Sequence, residues 1–294
     1  MALKTPMIPR TIPPFFHTSR SLAIYALVVF ACSKPLLAQN IASKSVIATK
    51  PSQVEIDNIE SIEVIANTPG LGAQIDKNTL AYNVQTASGA QIENTGALNL
   101  ADFLQNNFTS VHINDNQGNP FQMDLNFRGY SASPLLGTPQ GLSVYVDGVR
   151  MNQPFGDIVQ WDLIPNSAIK TISLFSGSNP VFGMNTLGGA LSITTKDGLS
   201  YQGTEIETSL GSFGRKSFEF EHGAKYENGL HSYVNFKDFL EQGWRDNSPS
   251  SVQQFFGKIG WHERATDVKL SLSNFSSALT GNGLQQQLLL EQNY

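Results

Sequence analysis

The stretch Gly203-Thr204-Glu205-Ile206-Glu207-Thr208-Ser209-Leu210 decides the fold, because Ile206, Thr208 and Leu210 share one parity while Glu205, Glu207 and Ser209 share the other. Successive side chains of a strand point to opposite faces, so this two-residue period predicts a β-strand with one apolar and one polar face. The rule repeats downstream. Phe218 and Phe220 oppose Glu219 and Glu221; Leu230, Val234 and Phe236 oppose His231, Asn235 and Lys237; Phe255, Ile259 and Trp261 oppose Gln254 and Lys258; Val268, Leu270 and Leu272 oppose Lys269, Ser271 and Ser273. Five successive antiparallel strands are expected from Tyr201 onward.

Their connections alternate in kind. Glu227-Asn228-Gly229 and residues 262–266 are tight, whereas residues 241–251 form a longer polar loop containing Gly243, Trp244 and Pro249. Short turns at one end and longer loops at the other, with strands of about 9 to 11 residues, are the pattern of outer-membrane barrels. A soluble antiparallel sheet with one solvated face gives the same alternation. Tyr226 and Trp261, aromatics near strand ends, favour the membrane.

Ahead of these strands, residues 71–200 read as a mixed α+β unit. Asn99 is placed to cap a helix carrying Leu100, Phe103 and Leu104 on one face, and Val111 with Ile113 then alternates as a strand. Leu125 and Phe127 precede Arg128-Gly129-Tyr130, and Leu142, Val144 and Val146 precede Asp147-Gly148, a tight-turn dipeptide. Pro165 predicts a brief helical turn over residues 166–169, followed by a strand from Thr171 to Phe175 and a further apolar run from Ala190 to Thr195.

The amino terminus reads as an export signal. Lys4, Arg10 and Arg20 precede an apolar stretch from Leu22 to Ala31, and Leu36-Leu37-Ala38 ends on the small residue a signal peptidase requires. A buried helix, or lipidation at Cys32, are the other readings of this segment. Residues 1–38 carry four of the 19 bases and none of the 24 acids, so their removal leaves 15 bases against 24 acids and moves the net charge from −5 to −9. Cys32 is the only cysteine; without it a disulfide, a thiolate nucleophile and a Cys-ligated metal are all excluded. Charged residues make up 15% of the 294, against roughly 25% in soluble domains, which argues against a disordered chain or an ordinary cytosolic surface. No basic footprint for nucleic acid is present, and no apolar run reaches the roughly 18 residues of a spanning helix. Residues 39–70 read as a flexible leader containing the β-prone run Ser61-Ile62-Glu63-Val64-Ile65-Ala66, which is either the first strand of the next unit or a strand held for another protein's sheet edge.

Phe127-Arg128-Gly129-Tyr130, Val144-Tyr145-Val146-Asp147-Gly148-Val149-Arg150, Leu163-Ile164-Pro165-Asn166-Ser167-Ala168-Ile169 and residues 177–190 with Thr194-Thr195-Lys196, taken in order, resemble the plug domain of TonB-dependent outer-membrane receptors. The resemblance covers roughly residues 61–280, and Glu241-Gln242-Gly243-Trp244-Arg245 is similar to the family's second outer loop. It implies an α+β plug domain followed by antiparallel transmembrane β-barrel strands, an incomplete barrel, in four segments: signal peptide 1–38, leader with TonB box 39–70, plug 71–200 and start of the barrel 201–294. It further implies an outer-membrane location, contact with outer-membrane lipid, and Ser61, Ile62, Glu63, Val64, Ile65 and Ala66 as the box captured by TonB of the inner-membrane energising complex. The implied cargo is a small molecule or metal chelate such as a ferric siderophore or cobalamin. Plug-to-barrel contacts are expected from Arg128, Glu219 and Glu221; Arg128 either pairs with such inward carboxylates or is a solvated, loop-fixing residue. Substrate-facing positions are expected at Gln117, Asn119, Gln122, Gln140, Asn152, Gln153 and Trp161.

Catalysis is not expected: neither a Gly-x-Ser-x-Gly elbow nor a metal-ligand helix is found, and the five histidines show no paired spacing, so no cofactor or metal is assigned. The absence of a Gly-x-x-x-x-Gly-Lys-Ser/Thr loop means that work on a cargo must be driven from outside the chain. Five strands cannot close around a plug, since an open edge in lipid leaves unpaired backbone groups at several kcal/mol each; the chain is therefore expected to be a fragment or truncated product. A free periplasmic plug-like binding module is the alternative.

Overall fold

The computed structural model describes residues 65–67 and 74–76 by their backbone and residues 82–283 in full. The chain divides into Met1–Ile59 and Glu60–Tyr294, and every described residue belongs to the second unit. The export segment, most of the leader and Ser61 to Val64 of the expected box lie outside the described residues.

The first described elements are two short antiparallel strands, β1 (Ile65–Asn67) and β2 (Gln74–Asp76), with Ala66 opposite Ile75. Strand β3 (Val84–Ser88) runs directly into helix α1 (Gly89–Thr95). Ser88 accepts from the Gln91 amide and Gln91 reaches back to the Ser88 amide, a reciprocal capping box that satisfies two donors the helix start would otherwise leave orphaned. Gly96, at φ 59°, ends α1 in the left-handed conformation that favours glycine. Sequence periodicity missed this helix because it is only seven residues long, yet Ser88-x-x-Gln91 was its visible signal. Helix α2 (Leu100–Asn107) starts as expected: the Asn99 side chain accepts from the Asp102 amide at 2.8 Å, and Leu100, Phe103 and Leu104 fall on one buried face.

Seven further strands and two 3-10 turns, Trp161–Leu163 and Pro180–Phe182, complete this α+β portion. Strands β4 (Val111–Asn114), β5 (Asp124–Phe127) and β6 (Tyr130–Ala132) form a small antiparallel sheet. Strands β7 (Leu142–Val146), β8 (Val149–Arg150), β9 (Ile169–Ser176) and β10 (Gly189–Thr195) join β3 in a five-stranded sheet of order β3-β9-β10-β7-β8, in which β10 and β7 run parallel and the other pairs antiparallel. Leu104, Leu125, Phe127, Val144, Ile172 and Leu191 bury the shared core between sheets and helices. Pro165 opens the brief turn expected there: the Ala168 amide donates to the Pro165 carbonyl and the Ile169 amide to the Asn166 carbonyl, each at 3.2 Å. The 3-10 turn at Trp161–Leu163 precedes it, and Ile164, the residue before the proline, is extended at φ −107°, ψ 112°.

From Gly203 the chain is a five-stranded antiparallel meander: β11 (Gly203–Leu210), β12 (Lys216–Lys225), β13 (Leu230–Glu241), β14 (Ser250–Glu263) and β15 (Thr266–Leu279), each paired with its sequence neighbours. Among the described residues this sheet is not closed. The tight turns after β12 and β14 lie at one end, the connections 211–215 and 242–249 at the other. One face exposes the apolar side chains Ile206, Leu210, Ile259, Leu270 and Leu272. The opposite face is buried in the middle strands β13 and β14, though not along β11 or most of β15, and it is not uniformly polar: Tyr233, Phe239, Val252 and Phe256 share it with His231, Asn235, Gln254 and Lys258. Those apolar residues sit where the α+β portion presses on the sheet, Phe239 against Phe121 at a ring separation of 5.0 Å, and Tyr233 with Phe256 around Ala168.

Gly198, at the joint between β10 and β11, lies against the backbone of Ala224 and Ser232 on two paired strands, which cannot yield to a side chain. Gly198→Ala is expected to lower the unfolding free energy by about 1 to 3 kcal/mol, read as a shift in urea midpoint with an unchanged slope.

Candidate functional site: the ion-paired seam

Where β10 ends, three consecutive residues tie to three different strands of the meander. Thr195 and the Asp147 carboxylate together receive the Lys258 ammonium of β14, with Lys258 Nζ 2.8 Å from Asp147 Oδ2. Lys196 Nζ reaches Glu221 of β12 at 3.0 Å and Glu93 of α1 at 2.6 Å, and Tyr233 of β13 donates its hydroxyl to the same Glu221 at 2.6 Å. Asp197 pairs with Lys269 of β15 at 2.9 Å. Lys196, Glu221, Asp197 and Lys258 are all buried, so each charge depends on its partner to offset the loss of water.

Local backbone places these groups. Asp147 and Gly148, at φ 48° and 82°, form the tight left-handed turn between β7 and β8, which aims the Asp147 carboxylate back at the Thr195 amide and hydroxyl, at 2.9 and 2.6 Å. Asp197 closes its own turn, accepting from the Leu199 and Ser200 amides and the Ser200 hydroxyl. Burial works to raise the Asp197 carboxyl, but the hydrogen bonds and charge of Lys269 and Ser200 outweigh it and hold the group well below the usual carboxylate range.

Farther along the seam the contacts are neutral. Asn119 Nδ2 donates to Ser250 Oγ at 2.9 Å and to the Thr280 carbonyl at 3.1 Å; Ser277 Oγ donates to Asp162 Oδ2 at 2.6 Å; Gln254 donates to the Asp162 carbonyl; Asn235 donates to Ser167 Oγ at 3.0 Å.

Of the residues expected to join plug and barrel, Glu221 lies in the charged seam, while Glu219 faces Lys237 at 3.4 Å and Asn235 at 3.3 Å, both within the meander. Arg128 does not meet either acid. It is exposed in the β5–β6 turn at φ 50°, its guanidinium over the adjacent Phe127 ring. Among the expected substrate-facing residues, Asn119, Asn152 and Trp161 are corrected by burial: Asn119 bonds to the sheet, Asn152 holds the Val144 amide and Leu142 carbonyl, and Trp161 packs into the core. Gln140 turns inward to Ser133 and Leu135, pinning its own loop. Gln117, Gln122 and Gln153 keep solvent exposure. Sequence reasoning missed Asp147, Lys196, Asp197, Lys258 and Lys269 as a group. Lys258 on the inward parity was the available signal, since a lysine turned away from water requires an acid. Among the described residues no group of His, Cys, Asp and Glu is arranged to hold a metal ion.

The profile of the family described as "TonB-dependent Receptor Plug Domain" matches residues 76–190. Over those residues the chain is similar to TonB-dependent receptor plugs. The vitamin B12 transporter BtuB of Vibrio cholerae is 29% identical over 180 residues, which cover 61% of this chain and 28% of that protein, and its counterpart in Vibrio vulnificus is 23% identical over 215 residues, 73% of this chain and 33% of that protein. The chain thus spans about a third of the length of these relatives. Among solved structures, the ferric yersiniabactin uptake receptor FyuA of Yersinia pestis superposes with a TM-score of 0.54 at 17% identity, over 70% of this chain and 33% of the receptor. BauA, the ferric preacinetobactin receptor of Acinetobacter baumannii, gives 0.55 at 14% identity, over 70% and 30%. The resemblance read from the plug motifs and the α+β-plus-strands fold class both stand.

The plug-to-strand seam can be probed energetically. Lys196→Met strands the buried Glu221 charge and is expected to cost about 3 to 5 kcal/mol, whereas Lys196→Met with Glu221→Gln is expected to recover a large part of it; urea unfolding of the four proteins of the cycle measures the coupling. Because the folded Asp197 carboxyl titrates below its unfolded value, its stabilisation is fully present above the ordinary value of about 4 and is lost as pH falls through the depressed folded value. The stability difference between the parent and Asp197→Asn is therefore expected to stay constant from neutral pH down to about 5 and to shrink only below about 4.

Proposed function

We propose that the chain is the amino-terminal part of a TonB-dependent outer-membrane transporter that takes up a scarce large solute such as a ferric siderophore or cobalamin. Residues 1–38 direct export, residues 39–70 tether the box Ser61 to Ala66, residues 71–200 form the plug and residues 201–294 begin the barrel. TonB captures the box strand through main-chain bonds and pulls on the plug, which supplies work where no nucleotide site is present. The relatives named above are transporters and receptors, and no enzyme is among them.

The observation that supports this reading best is the seam itself. The plug rests on the strands largely through hydrogen bonds and ion pairs, with small apolar contacts at Phe121–Phe239 and Ala168. The neutral hydrogen bonds among these contacts can be exchanged for water at modest cost, which an apolar core cannot, while the buried ion pairs hold, so force on the amino terminus can loosen part of the plug without dissolving the sheet. Gln117, Gln122 and Gln153 remain as the solute-facing positions, and the exposed apolar face of β11 to β15 meets outer-membrane lipid.

The test uses the full coding sequence that contains this chain, expressed in a bacterium stripped of its own receptors, with uptake of labelled cobalamin and a panel of ferric siderophores measured. Uptake of one of them that is abolished by deletion of residues 61–66, with cell-surface binding retained, is the expected result. Recovery of the product only in the soluble periplasm would remove the transport reading.

A further inference from the structure

The plug is tied unevenly to the strands it lies on. Bonds from the plug reach β12 at Glu221, β13 at Asn235, β14 at Ser250, Gln254 and Lys258, and β15 at Lys269 and Ser277. The side-chain bonds of β11 stay local: Thr204 with His222 of β12, and Glu205 with Tyr201.

Beside β11 the two layers part. A cavity of about 130 Å³ separates the α1–α2 link at Gly96 and Ala97 from Glu207, Ser209, Ser217 and Glu219. Glu207 lies directly opposite Glu219, and Ser209 opposite Ser217, so these four form one continuous patch on the inner face. Two carboxylates facing across a strand pair repel, and with Lys237 alone beside Glu219 they cannot both be neutralised by the protein. Glu207 and Ser209 are exposed, so the gap is open to solvent rather than filled by packed side chains.

We infer that, within the described wall, the plug separates from β11 and from the Ser217–Glu219 stretch of β12, and that the gap between Ala97 and Ser217 is where the solute path opens, while the pair at Glu221 and the side facing β14 and β15 stay attached as the hinge. This inference rests on the transport reading above. Its reasons are physical: widening a wet gap breaks few protein–protein bonds, whereas parting the other side requires uncovering Lys258, Asp162 and Asp197, all buried. The turn Thr195-Lys196-Asp197, bonded to β14, β12 and β15, is the natural pivot.

The test compares two reversible bridges in the full-length receptor. In one, Ala97→Cys and Ser217→Cys are joined across the gap by a short bifunctional thiol reagent that dithiothreitol cleaves. In the other, Asp162→Cys and Ser277→Cys are joined on the hinge side. Within these 294 residues Cys32 is the only cysteine, and the receptor carrying no introduced cysteine, treated with the same reagent, controls for reaction at any native thiol. The gap bridge is expected to stop solute uptake and the reductant to restore it, while the hinge bridge leaves uptake at the level of its own reduced form. Uptake that persists with the gap bridged, or that stops with the hinge bridged, overturns the inference. Failure of both reduced variants and the parent to take up any solute would instead count against the transport reading.

Discussion

Everything in this molecule turns on the cost of a charge removed from water. A strand sheet with an apolar outer face and an inner face covered by another layer leaves little solvent for Lys196 or Lys258, and each buried ammonium must find a carboxylate within about 3 Å. Glu221 and Asp147 meet that demand, and with the buried Asp197 held by the half-exposed Lys269 they set where the plug sits, how its last strand leaves the sheet, and which strand each residue of the joint addresses.

The same constraint explains the two textures of the seam. Near the tight-turn end, charges are paired and buried, and a tyrosine hydroxyl completes the shell of Glu221. Toward the other end the contacts become amide and hydroxyl bonds with a small aromatic cluster around Phe121 and Phe239. Neutral bonds of this kind are individually modest, about 1 kcal/mol, whereas the bond from Ser277 to the buried Asp162 carboxylate is charge-assisted and stronger.

Legibility in the sequence followed the range of the interactions. Two-residue alternation located β11 to β15 and their outer faces, because parity is a property of the strand alone. Local caps and turns were equally readable at Asn99 and Asp147-Gly148, and readable though missed at Ser88-x-x-Gln91. The candidate site was less legible. Glu221 was recognised as an inward acid, but Arg128 was assigned to it, since charge type and face say nothing about which cation, a hundred residues away or twenty-five, the chain brings near. Asn119, Asn152 and Trp161 looked like loop ligands because polar and aromatic residues near turns have the same sequence signature whether they face solvent or anchor the loop.

What the sequence by itself determined is therefore the strand meander, its apolar face, the capped helix α2, the hairpin turn and the ordered motifs of a plug, all of which depend on neighbours within a few residues. Tertiary structure alone decided that Thr195, Lys196 and Asp197 fan out to three strands, that Phe239 and Phe256 turn inward to meet the plug, and that a wet gap remains beside Glu207 and Glu219. Those outcomes depend on which surfaces are pressed together, and the free energy of a buried charge or a packed ring is set by what lies across the interface rather than by what lies along the chain.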